Sequence, residues 1–154
     1  KFRNGKIKNA SVQNPYNLLN RKDEIGLTEI LFREEIGYLA YSPLGFGRLT
    51  GKYIEGKDTL NSRINLFPRY SRYSSDTALQ ATEQYNDIAK RYNISLTHLA
   101  LGFILHQKFV TAPIIGATSV DQLSENIKSL DIDLSKEIIK EINRVHNDIP
   151  NPSP

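Results

Sequence analysis

The residues best placed to do chemistry lie where apolar runs give way to short polar turns. Ile114-Ile115-Gly116-Ala117-Thr118-Ser119-Val120-Asp121-Gln122 passes from a buried strand into a helix N-terminus. The first turn of a helix leaves backbone N–H groups unpaired, and its dipole adds partial positive charge, so an anion such as phosphate is favoured there. A second segment, Tyr41-Ser42-Pro43-Leu44-Gly45-Phe46-Gly47-Arg48-Leu49-Thr50-Gly51-Lys52-Tyr53, combines glycines that admit close backbone approach with cations that suit phosphate oxygens. It holds Thr50-Gly51-Lys52 without the glycine spacing of a nucleoside triphosphate loop, so that chemistry is not indicated. A third segment, Gln13-Asn14-Pro15-Tyr16-Asn17, places an amide at a strand end, able both to donate and to accept.

Composition narrows the remaining chemistry. The 154 residues contain no cysteine, which excludes disulfides, thiol nucleophiles and cysteine-bound zinc. His98, His106 and His146 are scattered without metal-ligand spacing and read as surface or packing residues, while Glu34-Glu35 and Asp131/Asp133 read as solubilising charge. The net charge is +3, and the one basic run, Lys1, Arg3, Lys6 and Lys8, reads as a solvated end, so no nucleic-acid contact is expected. No apolar run reaches the ~20 residues of a membrane span and no signal peptide is evident, which leads us to expect a cytoplasmic protein without membrane contact.

These segments must be held by a scaffold, and the periodicity supplies one. A strand is expected from Ile7 to Gln13, a helix within Lys22 to Glu35 with its stripe on Ile25, Thr28 or Glu29, Ile30 and Leu31, and a strand from Tyr38 to Ser42. Pro43 to Ser75 reads as a long loop, a candidate lid. Helices follow from Thr77 to Tyr92 and after Ser95, the latter with Leu96, Leu99, Ala100, Phe103 and Ile104 on one side; then comes a strand from Val110 to Ile115. Ser119 and Gln122 have the spacing of a capping box, opening a helix whose inward face would be Leu123, Ile127 and Leu130. Ser135 caps a last helix bearing Ile138, Ile139, Ile142 and Val145, and the prolines after it leave an extended tail over 151–154. Alternating strands and helices imply parallel strands with the loops after them on one edge, and three strands would leave two open edges.

The three segments, in this order, closely resemble the C-terminal part of the aldo-keto reductases, in a bacterial branch with this Gly-Ala-Thr-Ser pattern. The resemblance implies an α/β fold: residues 1–150 as a partial (β/α)8 TIM barrel, namely its last three βα units plus a C-terminal helix. Such a barrel needs roughly 250 residues. Opening on Lys1 rather than Met, the sequence reads as the second half of a longer protein. The resemblance implies NADP (NADPH) as cofactor, NAD being less favoured, and a small carbonyl substrate reduced by hydride transfer. It places Gln13 on the nicotinamide carboxamide, Tyr41 stacked on the nicotinamide ring, and Ser42, Leu44, Gly45 and Gly47 at the pyrophosphate. Lys52 and Arg63 fall at phosphate contacts, and Thr118, Gln122, Glu125 and Asn126 around the adenosine and its 2′-phosphate. Where many members have a Lys-Ser pair and an Arg, this sequence has Gly116, Ala117 and Gln122, and Gln122 can equally serve only the capping box. Phe67, Tyr70 and Tyr73 offer an aromatic wall for substrate, while Arg69, Tyr70, Arg72 and Tyr73 can equally face the cofactor or solvent. The family's catalytic Tyr, Lys, His and Asp have no counterpart, so the resemblance implies a cofactor-holding half, inactive alone, whose partner is the other half or another copy. It is compatible too with an NADP-binding regulatory module like the channel-associated barrel subunits, or with an inactive fragment.

Overall fold

The computed structural model describes residues 2–3, 6–7, 11–54 and 72–154. A two-stranded antiparallel ribbon, β1 (Phe2–Arg3) and β2 (Lys6–Ile7), precedes a three-stranded sheet of β3 (Ser11–Pro15), β4 (Gly37–Tyr41) and β5 (Val110–Ile114). All three are parallel, with β4 in the centre and β3 and β5 at the edges. The first strand of this sheet therefore lies four residues later than periodicity suggests, and Ile7 belongs to the ribbon instead. Pro15 ends β3, where its missing N–H costs no interior ladder bond.

Register decides which side chains share a face. Gln13 pairs with Leu39 and Pro15 with Tyr41; across β4, Leu39 pairs with Ala112 and Tyr41 with Ile114. Since successive side chains alternate, Tyr38 and Ala40 point to the opposite side, and both are fully buried there. A bulge between Tyr38 and Leu39 in the β4–β5 pairing adds Thr111, whose hydroxyl accepts from the Tyr38 N–H at 3.0 Å.

Five helices follow, α1 (Leu27–Arg33), α2 (Asp76–Arg91), α3 (Leu96–His106), α4 (Val120–Lys128) and α5 (Lys136–Asp148), and all but α4 contribute to the hydrophobic core that includes Tyr38. Ser75, Ser95, Ser119 and Ser135 each cap the helix they precede, accepting from the N–H three residues on. A serine oxygen satisfies one of the donors left unpaired at each start, typically ~1 kcal/mol. Helix α3 is buried around most of its circumference, through Leu96, Leu99, Ala100, Leu101, Phe103 and Ile104, rather than on one stripe. It lies between β5, α2 and α4, and a Cβ at Gly102 would touch Leu134 at 3.4 Å.

Two expected stripes are not covered. In place of one helix over 22–35, a 3-10 turn at Lys22–Glu24 is separated from α1 by Gly26 at φ 103°; Thr28 and Leu31 are buried, but Ile25, Ile30 and Phe32 face outward. Leu123 and Ile127 on α4 and Leu130 in the 3-10 turn after it (Ser129–Asp131) are 42%, 52% and 68% exposed, so the face expected to be inward is open. Periodicity marked an apolar stripe correctly, but no element of the described residues packs on it. Among the described residues no strand pairs with the outer sides of β3 and β5, which leaves both flanks of the sheet open to them.

Polar side chains cross the core in one network. Arg21 forms a bidentate pair with Glu24 at 2.7 and 2.9 Å, donates to Asn143 of α5 at 2.9 Å, and lies 4.8 Å over the Phe103 ring. Asp23 accepts from the Tyr38 hydroxyl at 2.7 Å and from Asn14 at 2.9 Å, while Tyr16 donates to Glu24. Burial above all, and next the neighbouring carboxylates, push the Tyr16 and Tyr38 hydroxyls far up, which keeps them protonated donors.

His146 sits at the rim of this network. Burial first, then the positive charge of Arg21, holds it below its ordinary value of 6.5, against an opposing pull from Glu24. The unfolded chain then binds a proton that the folded chain does not, so stability should fall as pH drops from 6.5 toward the folded value and stay level above it. Urea midpoints at about pH 7.5 and about pH 5.5 should differ less in His146→Gln than in the parent. No helix among the described residues is long and apolar enough to cross a membrane.

Candidate functional site

Because the strands are parallel, their C-terminal ends share one edge, and the turn after Tyr41 occupies its centre. Tyr41 leaves β4 half-buried, and Ser42 then takes a left-handed backbone with φ 52°. A non-glycine residue seldom adopts that conformation, and such outliers concentrate where geometry is functionally constrained. Gly45, Phe46 and Gly47 continue the reversal at φ 53°, 55° and 90° within a 3-10 segment, Gly45–Thr50. Hydrogen bonds close it, from Gly45 N–H to Ser42 O at 3.0 Å and from Gly47 N–H and Leu49 N–H to Leu44 O at 2.9 and 3.1 Å.

Cations converge on the same turn. The Lys52 ammonium lies where a Cβ on Gly47 would come within 3.0 Å of it. Arg48 and Lys52 both approach the Tyr53 ring, at 4.5 and 5.1 Å from its centroid, and among the described residues no carboxylate pairs with either. Arg48 is buried, donating to Tyr73 O at 2.9 Å and to Ser74 Oγ at 3.1 Å, and burial lowers its guanidinium pKa. The Tyr53 hydroxyl is buried without a hydrogen-bond partner among the described residues. A glycine cradle under an ammonium fits a phosphate group by size and by charge.

Gln13 is exposed on β3, two residues before the Pro15–Tyr41 pair, on the same open sheet face as Leu39, Tyr41, Ala112 and Ile114. Gln13, Tyr41, Ser42, Leu44, Gly45, Gly47 and Lys52 are thus gathered at one end of β3 and β4. Arg63, Phe67, Arg69 and Tyr70 lie outside the described residues. Tyr73 is neither a solvated loop residue nor exposed for substrate: it is fully buried, stacked edge-on against Phe46 at 5.1 Å, and burial pushes its hydroxyl pKa up.

The second cluster follows β5. Ser119 Oγ accepts from the Gln122 N–H at 3.2 Å, as a capping box requires, but the Gln122 side chain reaches one residue further back than expected. Its Oε1 accepts from both the N–H and the hydroxyl of Thr118, at 3.0 and 3.1 Å. Glu125 turns toward α3, accepting from Ser95 Oγ at 3.0 Å and lying 3.2 Å from His98 Nε2, and Asn126 is buried. Thr118 and Gln122 therefore remain accessible at the edge, whereas Glu125 also ties α4 to α3. The two depressions lying on α5 and between α2 and α5 are remote from these turns. Among the described residues no group of His, Asp or Glu could hold a metal ion.

Two participants escaped the sequence reading. Asn17, quoted there only as part of a segment, is fully buried and its amide bonds the carbonyl of Ser42. Arg48 was passed over as one more loop cation, although it packs the turn against residues 73 and 74. Asn after a strand is an ordinary turn signal, and only the tertiary contact reveals more.

A parallel sheet with side chains and helix N-termini collected at its carboxyl edge defines an α/β protein, a class in which ligands sit outside the carboxyl ends of the strands. The family can be stated as well: the chain belongs to the aldo/keto reductase family, whose profile matches residues 2–147. It is 44% identical over 145 residues to "Protein tas" of Escherichia coli (strain K12), an alignment covering 94% of this chain and 42% of that protein. An "Aldo-keto reductase" of Babesia bovis is 40% identical over 145 residues, covering 89% of this chain and 51% of the relative. The "L-glyceraldehyde 3-phosphate reductase" of Escherichia coli (strain K12) is 34% identical over 123 residues, covering 77% and 36%. The chain thus spans about half the length, or less, of these relatives.

Proposed function

We propose that this chain is the cofactor-holding part of an NADPH-dependent aldehyde or ketone reductase, forming the last three βα units and final helix of a (β/α)8 barrel. The observation that carries this reading is the turn after β4: beyond Tyr41, two glycines and two other residues in left-handed backbone shape a turn in which Lys52 lies over Gly47. In this reading Gln13 and Tyr41 orient the nicotinamide, Ser42 to Gly47 with Lys52 receive the pyrophosphate, and Thr118 and Gln122 meet the adenosine end. Glu125 and Asn126 complete that end, Glu125 while bracing α4 on α3, and Arg63 adds a further phosphate contact. The hydride chemistry belongs to the cofactor, and this chain's residues bind and orient it. The open flanks of the sheet and the exposed stripes on α1 and α4 are where the remainder of the barrel, or a second copy, would pack.

The reading is tested by titrating NADPH into the protein that contains this sequence and following nicotinamide fluorescence. Saturable binding that Tyr41→Ala weakens several-fold is expected, since aromatic stacking contributes roughly 0.5–1.5 kcal/mol. The 154-residue chain alone should show no carbonyl turnover. Saturable binding with no turnover by the longer protein as well would assign a regulatory role. Absence of binding would refute the cofactor reading altogether.

A further inference from the structure

Asn17 is fully buried and uses both ends of its amide. Its Nδ2 donates to the Ser42 carbonyl at 2.9 Å and to the Tyr73 hydroxyl at 3.0 Å, while its Oδ1 accepts from the Leu19 N–H at 2.9 Å. The backbones of Asn17 and Asn20 also exchange hydrogen bonds at 3.1 and 3.0 Å, closing the loop after β3. Ser42 is the left-handed residue at which the chain leaves β4, and its carbonyl is held by the Gly45 N–H and by Asn17. Tyr73 stands directly behind Gly45, where a Cβ would lie 3.4 Å from its ring. One amide therefore fixes both the exit of the strand and the wall behind the turn.

The loop that carries Asn17 is itself held by the extended tail of the chain. Ser153 is 1% exposed and donates its N–H to Leu19 O at 3.1 Å. Asn151 Oδ1 accepts from the Arg21 N–H at 2.7 Å, and Pro152 O accepts from Ser75 Oγ at 3.3 Å. These prolines suppress helix yet leave the intervening amides free to bond the loop. From the other side, the Tyr85 hydroxyl donates to Leu18 O at 3.1 Å.

We propose that Asn17 is a positioning residue for the turn that holds the nicotinamide end of the cofactor, and that 151–153 is the strap fixing Asn17 in place. The proposal rests on the NADPH reading. Asn17 touches no part of the expected cofactor; it acts through Ser42, whose carbonyl direction sets where the Tyr41 and Ser42 side chains project. The adenosine end, at Thr118 and Gln122, has among the described residues no hydrogen bond to this linkage and is expected to be insensitive to it.

That asymmetry supplies the test, made in the protein containing this sequence. Asn17→Asp keeps size and the acceptor for Leu19 N–H, and the Tyr73 hydroxyl can turn to donate to it, so the loss falls on the Ser42 carbonyl. Asn151→Ala cuts the strap far from the turn and serves where the first variant fails to fold. Affinities are measured for NADPH and for adenosine 2′,5′-bisphosphate, which lacks the nicotinamide, with melting temperatures alongside. The expected result is NADPH binding weakened about tenfold by Asn17→Asp and a few-fold by Asn151→Ala, with bisphosphate affinity unchanged. Lower melting temperatures with NADPH affinity unchanged, or equal losses for both ligands, would make Asn17 merely structural and overturn the proposal. A parent protein that binds neither ligand would refute the cofactor reading, and the proposal with it.

Discussion

Arg21→Ala should lower folding stability by about 3–5 kcal/mol, the usual cost of removing one partner of a buried ion pair. The Arg21 side chain is 9% exposed and its partner Glu24 is 27% exposed, so the carboxylate left behind would be only partly rehydrated. Burial disfavours the guanidinium cation, yet the hydrogen bonds and charge of Glu24 outweigh it and raise the Arg21 pKa. The same side chain reaches Asn143 on α5 and covers Phe103 on α3, so one truncation uncouples two helices from the loop after β3. Chemical denaturation is the measurement. Arg21→Lys should recover little, because an ammonium cannot span both Glu24 oxygens and Asn143 in one plane. Glu24→Gln should cost less than Arg21→Ala, since Gln still accepts one hydrogen bond and position 24 is nearer solvent. A loss below 1 kcal/mol for Arg21→Ala would show that the network tolerates water in its place.

Gly47→Ala should leave the fold intact and weaken NADPH binding by tenfold or more. At φ 90° an alanine is strained by about 1–3 kcal/mol whatever the space around it. The steric part is different in kind. The new Cβ would lie 3.0 Å from Lys52 Nζ and 3.1 Å from its Cε, and a long side chain escapes cheaply by swinging away. The fold therefore loses little from the clash, but the ammonium leaves the cradle in which a phosphate would meet it. Titration of NADPH, compared with Lys52→Ala, separates the two effects. If the cradle reading holds, Gly47→Ala and Lys52→Ala each weaken binding and the double variant is far from additive. Wild-type affinity in Gly47→Ala would remove Lys52 from the site.

The order of elements was legible because their signals are local. Three serines, Ser95, Ser119 and Ser135, placed the caps of α3 to α5, since a capping hydrogen bond spans only three residues, whereas Ser75, read only as the end of the long loop, caps α2 as well. Gly45 and Gly47 marked the turn after β4, which needs left-handed backbone at both. The start of β3 was misjudged because residues 6–13 mix β-branched and small side chains evenly, and pairing with β4, not composition, begins the strand at Ser11. The inward face of α4 was misjudged for a related reason: a stripe at helical spacing states that something apolar should cover it, not that this chain does.

Much of the candidate site was likewise written in residue types. An amide at Gln13, an aromatic at Tyr41, glycines at 45 and 47 and a cation at Lys52 follow one another at strand ends, and each type limits the group it can meet. The sequence by itself determined those types, the serine caps, the strand–helix alternation and hence the shared edge on which the turns lie. Only the tertiary structure decided that Asn17 holds Ser42, that Arg21 joins the loop after β3 to α5, and that Ser153 is buried against Leu19. Those contacts join residues 25, 122 and more than a hundred positions apart. Local propensity acts over a few bonds, whereas such pairings exist only once the packed core has brought distant polar groups together and excluded the water that would otherwise satisfy them.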